Sequence, residues 1–190
     1  MTISRGGPGI PDLAISWSEL VAGPEADPTA AWRQRHVAMT ARSSGVCPPG
    51  LDLTFVLAFA CDVLATPGAY AAASGPWLLD LSPAQVSFAL AEPWTHPREV
   101  RLRRGAFTMD PDPRRRRLRA RAAYRAVADP FADSYAPGAR MSSRQRRGIV
   151  ADTWDLAWSA ATGGGVVRRR ACCLIYALPG CHACAGCPRL

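Results

Sequence analysis

Apolar and polar residues in the N-terminal third of the chain alternate in the pattern of helices that bury one face. Capping and breaking residues predict a short helix over residues 12–22, begun by Asp12. A second helix is predicted from Asp27 to about Arg42. A third and far more apolar helix is predicted over residues 51–70, with a break near Pro67. The N-terminal third of the chain is therefore predicted to be helical.

In the middle of the chain, the spacing of apolar residues changes from that of helices to that of strands. Residues 77–81 alternate weakly between apolar and polar, residues 86–89 follow Pro83, and residues 98–103 alternate more clearly. A period of two is typical of strands with one buried face, and prolines commonly separate such strands. We expect two or three short strands here, joined by turns.

Two further helices are predicted in the second half. One begins after the Asp-Pro repeat at 110–113, and its apolar face contains Ala120, Tyr124, Val127 and Phe131. The other is capped by Ser142 or Ser143 and ends near Ala161, before three consecutive glycines at 163–165. Val166 and Val167 are predicted to form a short strand that leads into the last segment.

These elements predict a mainly helical α+β fold in one domain, which is the natural expectation for 190 residues with 48% hydrophobic content. The expected divisions are a flexible tail at 1–11, the helical α+β domain at 12–165, and a cysteine-rich segment at 166–190. The longest apolar run, over residues 53–65, is interrupted by Asp62 and is short for a bilayer, so no transmembrane segment is expected. Residues 1–9 also lack the apolar core of a secretory signal.

Charge is distributed unevenly along the chain. All 23 basic residues are arginine, and 19 of them lie in residues 98–190, against seven acidic residues there. The second half therefore attracts anionic partners, while the first half is net acidic. The arginine-rich helix at 114–125 is interpreted either as a solvated face or as a contact for an anionic partner. No nucleic-acid partner is expected, because no aromatic base-stacking set accompanies the arginines.

The strongest chemical signal is the density of cysteines at the C-terminus. Five of the seven cysteines fall within residues 172–187. Closely spaced thiolates repel one another, and soft metals such as zinc or the iron of iron–sulfur clusters neutralise them. Disulfides are the alternative, but an odd number of cysteines and no signal peptide favour a reducing, cytoplasmic location.

The residues alone leave the metal open. Cys184 and Cys187 form one knuckle of a zinc site, whereas the adjacent Cys172 and Cys173 do not form a second one. A two-iron cluster accepts four thiolates, and the run Cys181-x-x-Cys184-x-x-Cys187 is similar to part of a four-iron motif. Zinc, a two-iron cluster and a four-iron cluster therefore all remain candidates at this point.

The pattern Cys-Cys-x10-Cys-x2-Cys, after the arginines at 168–170 and around Leu-Pro-Gly at 178–180, resembles the FhuF-type ferric-siderophore reductases. The resemblance is strong over residues 166–190. It implies a 2Fe-2S cluster on Cys172, Cys173, Cys184 and Cys187, with Cys181 outside the ligand set.

The resemblance also implies a function, one-electron reduction of ferric iron in a siderophore, which releases ferrous iron. The implied partners are a ferric siderophore and an external electron donor, either ferredoxin-like or a flavin reductase. No nucleotide fingerprint is present, so the chain itself is not expected to bind flavin or nicotinamide. The implied location is cytoplasmic, with attachment at the inner face of the membrane as a variant. The alternatives are a 2Fe-2S sensor or electron carrier without turnover, and a structural four-cysteine zinc module.

Overall fold

The computed structural model describes residues 14–21, 27–91, 95–136 and 138–190. The predicted N-terminal tail and the predicted cap at Asp12 lie outside these ranges.

The described residues form five α-helices and five short strands, as a mainly helical α+β fold requires. The helices are α1 (Trp17–Val21), α2 (Ala30–Ser44), α3 (Leu51–Ser74), α4 (Pro113–Ser134) and α5 (Ser143–Thr162). The strands are β1 (Ala14–Ser16), β2 (Trp77–Leu79), β3 (Val86–Leu90), β4 (Pro97–Leu102) and β5 (Phe107–Met109). The predicted fold class is thus confirmed.

Helix α3 is the centre of the core. It packs against α5, α4 and α2, and its fully buried side chains include Val56, Leu57 and Leu64. Its length and apolar composition would allow it to cross a membrane, but 61% of its most apolar window is buried inside the fold. Burial against the other helices explains its composition.

The predicted break of this helix at Pro67 is wrong, because α3 continues through Pro67 to Ser74. Pro67 and Gly68 are both buried. A Cβ at Gly68 would lie 3.2 Å from Leu81 Cδ1 and 3.7 Å from Trp154 Cζ3, so the glycine allows close packing of two neighbouring elements. Tertiary contacts of this kind offset the cost of a proline inside a helix.

The strands form two small antiparallel sheets. β3 lies between β1 and β4 in one sheet, and β2 pairs with β5 in the other, with Trp77 opposite Met109 and Leu79 opposite Phe107. Two predictions need correction here. Residues 14–16 form a strand on β3 where a helix was expected, and Val166 and Val167 lie outside any strand.

Helix α4 begins as predicted, with the carboxylate of Asp112 accepting from the backbone N–H groups of Arg114 and Arg115. Its arginine-rich surface is less uniform than expected. Arg116 is buried, and its guanidinium donates to the carbonyl of Ala72 at 2.7 Å and to that of Asp110 at 2.8 Å. Arg116 therefore anchors α4 to the end of α3, and the solvated-face interpretation applies to its exposed neighbours.

Candidate metal centre

The cysteine-rich segment, residues 166–190, is an irregular loop with one 3-10 turn at Ile175–Ala177. Cys172 and Cys173 precede that turn, and Cys184 and Cys187 follow it. Cys187 is buried, Cys172, Cys173 and Cys184 are half-buried, and Cys181 is exposed. Half-burial leaves these thiols accessible to metal while the surrounding chain holds their positions.

A buried carboxylate fixes the entry to this loop. Asp152 of α5 is fully buried and accepts from the backbone N–H of Arg170 at 2.8 and 2.9 Å and from that of Ala171 at 2.8 Å. It also accepts from the Arg170 guanidinium at 3.1 Å, while Asp155 accepts from the same guanidinium at 2.8 Å. These bonds fix the chain immediately before Cys172.

Close packing supports the same point. Ala171 is buried against Gly148 of α5, where an added Cβ would come within 3.0 Å of the Ala171 Cβ. On the other side, the hydroxyl of Thr54 in α3 donates to the carbonyl of Cys173 at 3.2 Å. The adjacent cysteines are therefore held between α3 and α5.

The two ends of the loop are joined by a backbone hydrogen bond. The N–H of Arg169 donates to the carbonyl of Gly186 at 2.8 Å, and the N–H of Cys187 donates to the carbonyl of Cys184 at 2.9 Å. A Cβ at Gly186 would collide with the carbonyl oxygen of Val167. A glycine is therefore needed at position 186, where the Cys184–Cys187 pair crosses the stretch of chain that precedes Cys172.

This crossing brings Cys173 and Cys184 together from the two pairs. Burial raises the pKa of the Cys173 thiol, and the neighbouring Cys184 raises it further, while Arg169 acts in the opposite direction. A metal that binds Cys173 and Cys184 as thiolates would neutralise the charge that the two bring together.

The cysteines of this segment are numerous enough for more than one kind of metal site. A structural zinc ion gathers four ligands around itself, whereas a two-iron cluster takes its four ligands as two on each iron. Within the described ranges, no three His, Cys, Asp or Glu side chains are grouped as ligands of one ion.

A buried hydrogen-bond donor lies beside the Cys173 thiol. The Nε–H of Arg169 is buried and has no hydrogen-bond partner among the described residues. The charge of the same guanidinium lowers the pKa of the Cys173 thiol. Buried donors are normally satisfied. The sulfur atoms of an iron–sulfur cluster accept such bonds. A buried N–H donor without a partner beside Cys173 thus fits the acceptors that a 2Fe-2S group supplies.

The remaining cysteines lie apart from this arrangement. Cys181 is exposed and follows Gly180, which has a φ of +73°, in a turn closed by its N–H on the Leu178 carbonyl at 3.1 Å. Cys61 is fully buried in α3, where burial raises the pKa of its thiol to about 12, as an inert core residue requires. An isolated cysteine such as Cys47 is predicted from the sequence to be a buried thiol, but Cys47 is only half-buried.

Three residues that support the site were missed at the level of sequence: Asp152, Thr54 and Gly186. Asp152 looked like a polar residue on an amphipathic helix, and Thr54 looked like an ordinary residue of an apolar one. The glycine of Cys-Ala-Gly-Cys was the one usable signal, since a glycine within a ligand loop often marks close approach of two backbones.

Comparison with known proteins agrees with this geometry. Residues 169–189 match the family model of the FhuF 2Fe-2S C-terminal domain. The comparisons with curated proteins and with solved structures give no match. The matched residues contain all four predicted ligands and the Arg169–Gly186 crossing. Residues 169–189 are therefore similar to the FhuF-type 2Fe-2S C-terminal domain, and the cofactor of this segment is a 2Fe-2S cluster.

Proposed function

We propose that this protein reduces ferric iron held by siderophores, one electron at a time, and so releases the iron in its ferrous form. The single observation that supports the proposal is the match of residues 169–189 to the FhuF 2Fe-2S domain. The matched residues contain the cysteine pattern that resembles the siderophore reductases. A reducing, cytoplasmic location belongs to the same proposal, because free thiols of this number are typical of such a compartment.

The proposed cluster ligands are Cys172, Cys173, Cys184 and Cys187. The contact between Cys173 and Cys184 supports this set, since each belongs to a different sequence pair. Cys187 supports it as well, because it is buried and its backbone is bonded to Cys184. Cys181 is outside the set, on an exposed turn.

A bound 2Fe-2S cluster supplies reversible one-electron chemistry. The protein residues around it set how readily an electron is accepted. Added negative charge is stabilised by the Arg169 guanidinium, whose buried Nε–H is available to donate. Arg170 is already engaged by Asp152 and Asp155, and Arg189 lies over the Tyr176 ring at 4.7 Å. Arg169 is thus the arginine best placed to act on the cluster.

The reaction follows from the coordination chemistry of iron. Hard oxygen donors of a siderophore attract ferric iron more strongly than ferrous iron, because the ion loses one positive charge on reduction. One electron therefore weakens the chelate and favours release. The arginine-rich second half of the chain attracts negatively charged chelates and acidic donors.

The test uses protein purified without air. We expect two irons and two acid-labile sulfides per chain, with visible absorption that bleaches on reduction. Reduced protein mixed with a ferric hydroxamate siderophore should be reoxidised while a ferrous-specific chelator captures one ferrous ion per electron. Reversible bleaching without any ferrous product would instead indicate a sensor or an electron carrier, and stoichiometric zinc would indicate a structural module.

The ligand set is tested separately with five single serine variants. Serine is a poor substitute for a thiolate ligand. We expect iron per chain to fall to less than half in Cys172→Ser, Cys173→Ser, Cys184→Ser and Cys187→Ser. Cys181→Ser should keep the iron content and the spectrum. Loss of iron from Cys181→Ser, with retention in Cys172→Ser, would overturn the assignment in favour of the Cys181-x-x-Cys184-x-x-Cys187 run.

A further inference from the structure

The outer edge of strand β5 has no neighbouring strand among the described residues. β5 pairs with β2 on its inner side, in a sheet of two strands. The N–H of Asp80 donates to the carbonyl of Ala106 at 2.9 Å, so the backbone groups of Ala106 face β2. These groups alternate in direction along a strand, so those of Thr108 also face β2. The backbone groups of Phe107 and Met109 therefore point away from the sheet.

This open edge offers both a donor and acceptors. The N–H of Phe107 donates to the carbonyl of Gly105 at 2.8 Å, which leaves the Phe107 carbonyl and both backbone groups of Met109 directed outward. Within the described ranges, no other strand or side chain bonds to these three groups. An edge of this kind is a template for pairing with another chain.

The side chains at the open edge are large, apolar and exposed. Phe107 is 53% exposed and Met109 is 64% exposed. Both lie on the face of the sheet that also contains Trp77, which is 41% exposed, and Leu79. The same face borders a groove of about 550 Å³, to which Tyr70 of α3 contributes. Apolar side chains of this size are rarely grouped on the surface of a monomer without a binding role.

A free cation precedes β5, and a free carboxylate oxygen follows it. Arg104 lies in the turn before the strand, is exposed, and forms no ion pair with a described residue. Asp112 lies beyond the other end and is also exposed. Its Oδ1 accepts from the backbone N–H groups of Arg114 and Arg115 at 2.9 and 3.1 Å, whereas its Oδ2 makes no bond to a described residue. Thr108 lies midway in sequence between Arg104 and Asp112.

We propose that β5 pairs antiparallel with β5 of a second copy of this chain, about a two-fold axis beside Thr108. The axis places Phe107 opposite Met109 of the second copy. The N–H of each Met109 then donates to the carbonyl of the Phe107 that faces it. Two sheets of two strands become one sheet of four, in the order β2-β5-β5-β2. A two-fold interface uses the same surface on both copies, so each contact occurs twice.

The same pairing joins the apolar side chains into continuous rows. Within one copy, Trp77 is opposite Met109 and Leu79 is opposite Phe107. Across the axis, Met109 is beside Phe107 of the second copy, on the same face of the sheet. Each row therefore runs across four strands, and the exposed Phe107 and Met109 side chains cover each other.

The charges favour a second copy over an unrelated chain. Because Thr108 lies midway between Arg104 and Asp112, antiparallel pairing brings Arg104 of one copy to the end of the strand where Asp112 of the other copy lies. Opposite charges then meet at both ends of the interface. Complementarity of this kind fixes the register and the partner of an interface.

The proposed interface is remote from the cysteines. The cysteine-rich segment contacts α3 at Thr54, and the groove beside β5 meets the same helix at Pro67 and Tyr70. At a rise of about 1.5 Å per residue, Thr54 and Pro67 are roughly 20 Å apart along α3. Dimerisation can therefore be measured whether or not the protein reduces siderophores.

The first experiment is analytical ultracentrifugation of the anaerobic holoprotein at rising concentration. We expect the mass to move from that of one chain to that of two, with a dissociation constant in the micromolar range because the paired strands are short. Phe107→Ser with Met109→Ser should weaken association at least tenfold, since both side chains are exposed and their loss leaves the core intact. Val37→Ser, at an exposed apolar position of α2, is the matched control.

Charge variants test the contacts at the ends of the strand. Arg104→Glu brings like charges together at both ends and should weaken association about tenfold at low salt, and less at high salt. Asp112→Asn should weaken it about threefold, and asparagine still caps α4. Arg140→Glu makes the same change of charge beyond the other end of α4, and should associate as the unchanged protein does.

Thr108→Cys tests the position of the axis. In the proposed pairing the two copies of residue 108 form a non-hydrogen-bonded pair with Cα atoms roughly 4.5 Å apart, which a disulfide can span. Oxidised glutathione should therefore link two Thr108→Cys chains through position 108, and peptide mass spectrometry identifies the link. Val37→Cys is the control for random collision.

Circular dichroism and the cluster spectrum verify that each variant is folded. A protein that stays monomeric into the millimolar range would overturn the proposal, as would a dimer that Phe107→Ser with Met109→Ser and Arg104→Glu leave unchanged. A dimer that these variants weaken, but that forms no link through position 108, would contradict the two-fold pairing about Thr108.

Discussion

At the scale of single residues, the site depends on a carboxylate that is not a ligand. Asp152 is fully buried, and both of its oxygens accept from the backbone immediately before the first cysteine pair. A buried carboxylate is costly unless donors surround it, and here three backbone and side-chain donors do so. The position of Cys172 and Cys173 is therefore determined from α5.

Asp152→Asn should destabilise the protein by about 3 kcal/mol, because the amide NH2 replaces an acceptor facing buried N–H donors. The same variant should retain less iron during anaerobic dilution. Urea unfolding and iron analysis measure the two effects. Asp155→Asn is the control, since its ion pair with Arg170 is partly exposed and should cost no more than about 1 kcal/mol. Equal losses in the two variants would contradict the role given to Asp152.

Arg169 is the second residue whose role can be tested singly. Its buried Nε–H lies unsatisfied beside the thiols, so its charge should favour the reduced cluster. Arg169→Gln should lower the midpoint potential by roughly 60 mV, one factor of ten for a one-electron couple. A redox titration followed by electron paramagnetic resonance gives the value. Arg168→Gln, at an exposed position, should shift it far less.

At the scale of elements, the cysteine-rich segment, residues 166–190, here called the cluster loop, contains little regular structure. Its shape depends on the point where its two ends cross. Arg169 bonds to Gly186, and that bond places Cys184 and Cys187 against the segment that leads to Cys172. The only regular piece within residues 166–190 is the turn at Ile175–Ala177. Thus a loop with few repeated hydrogen bonds holds its thiols by contacts with α3, α5 and itself.

Gly186→Ala tests the crossing directly. The added Cβ would collide with the Val167 carbonyl, so the second cysteine pair must move away from the first. We expect at least half of the iron to be lost and the melting temperature of the holoprotein to fall. Gly165→Ala is the matched control, because a Cβ there meets no atom within 4 Å. A Gly186→Ala protein with full iron content and an unchanged spectrum would refute the crossing.

At the scale of the whole molecule, the basic surface continues from α4 onto the cluster loop. Asp155 of α5 lies between the two, since its carboxylate is 3.8 Å from Arg121 of α4 and 2.8 Å from Arg170 of the loop. Arg117 extends the same surface over the Trp158 ring at 4.9 Å. An acidic electron donor would therefore meet positive charge on its approach to the cysteines.

Arg117→Gln with Arg121→Gln should slow electron uptake from an acidic ferredoxin-type donor several-fold at low ionic strength. The difference should disappear at high salt, because exposed charges are then screened. Stopped-flow bleaching of the cluster measures the rate. Arg35→Gln with Arg42→Gln changes the same charge in the acidic half and should leave the rate nearly unchanged. Arg116 is not a suitable target, because it is buried and anchors α4.

The sequence by itself determined the local features that depend on neighbouring residues. The existence of α2, α4 and α5, the start of α4 after the Asp-Pro repeat and the cap at Ser142 all follow from neighbouring residues. The similarity of the cysteine segment to the FhuF 2Fe-2S domain is of the same kind, because the spacing of cysteines within a short loop is itself a sequence property.

Only the tertiary structure decided the features that depend on contacts distant in sequence. The helix α3 continues past Pro67, where Trp154 of α5 and Leu81 pack against the adjacent Gly68, and residues 14–16 form a strand because β3 provides a partner. The links from Asp152 to Ala171 and from Thr54 to Cys173 join residues 19 and 119 positions apart. Periodicity describes which face of an element is apolar, but it contains no information about which distant backbone group a polar side chain will meet. Tertiary packing determines which groups meet, and it therefore determines where the cysteines lie.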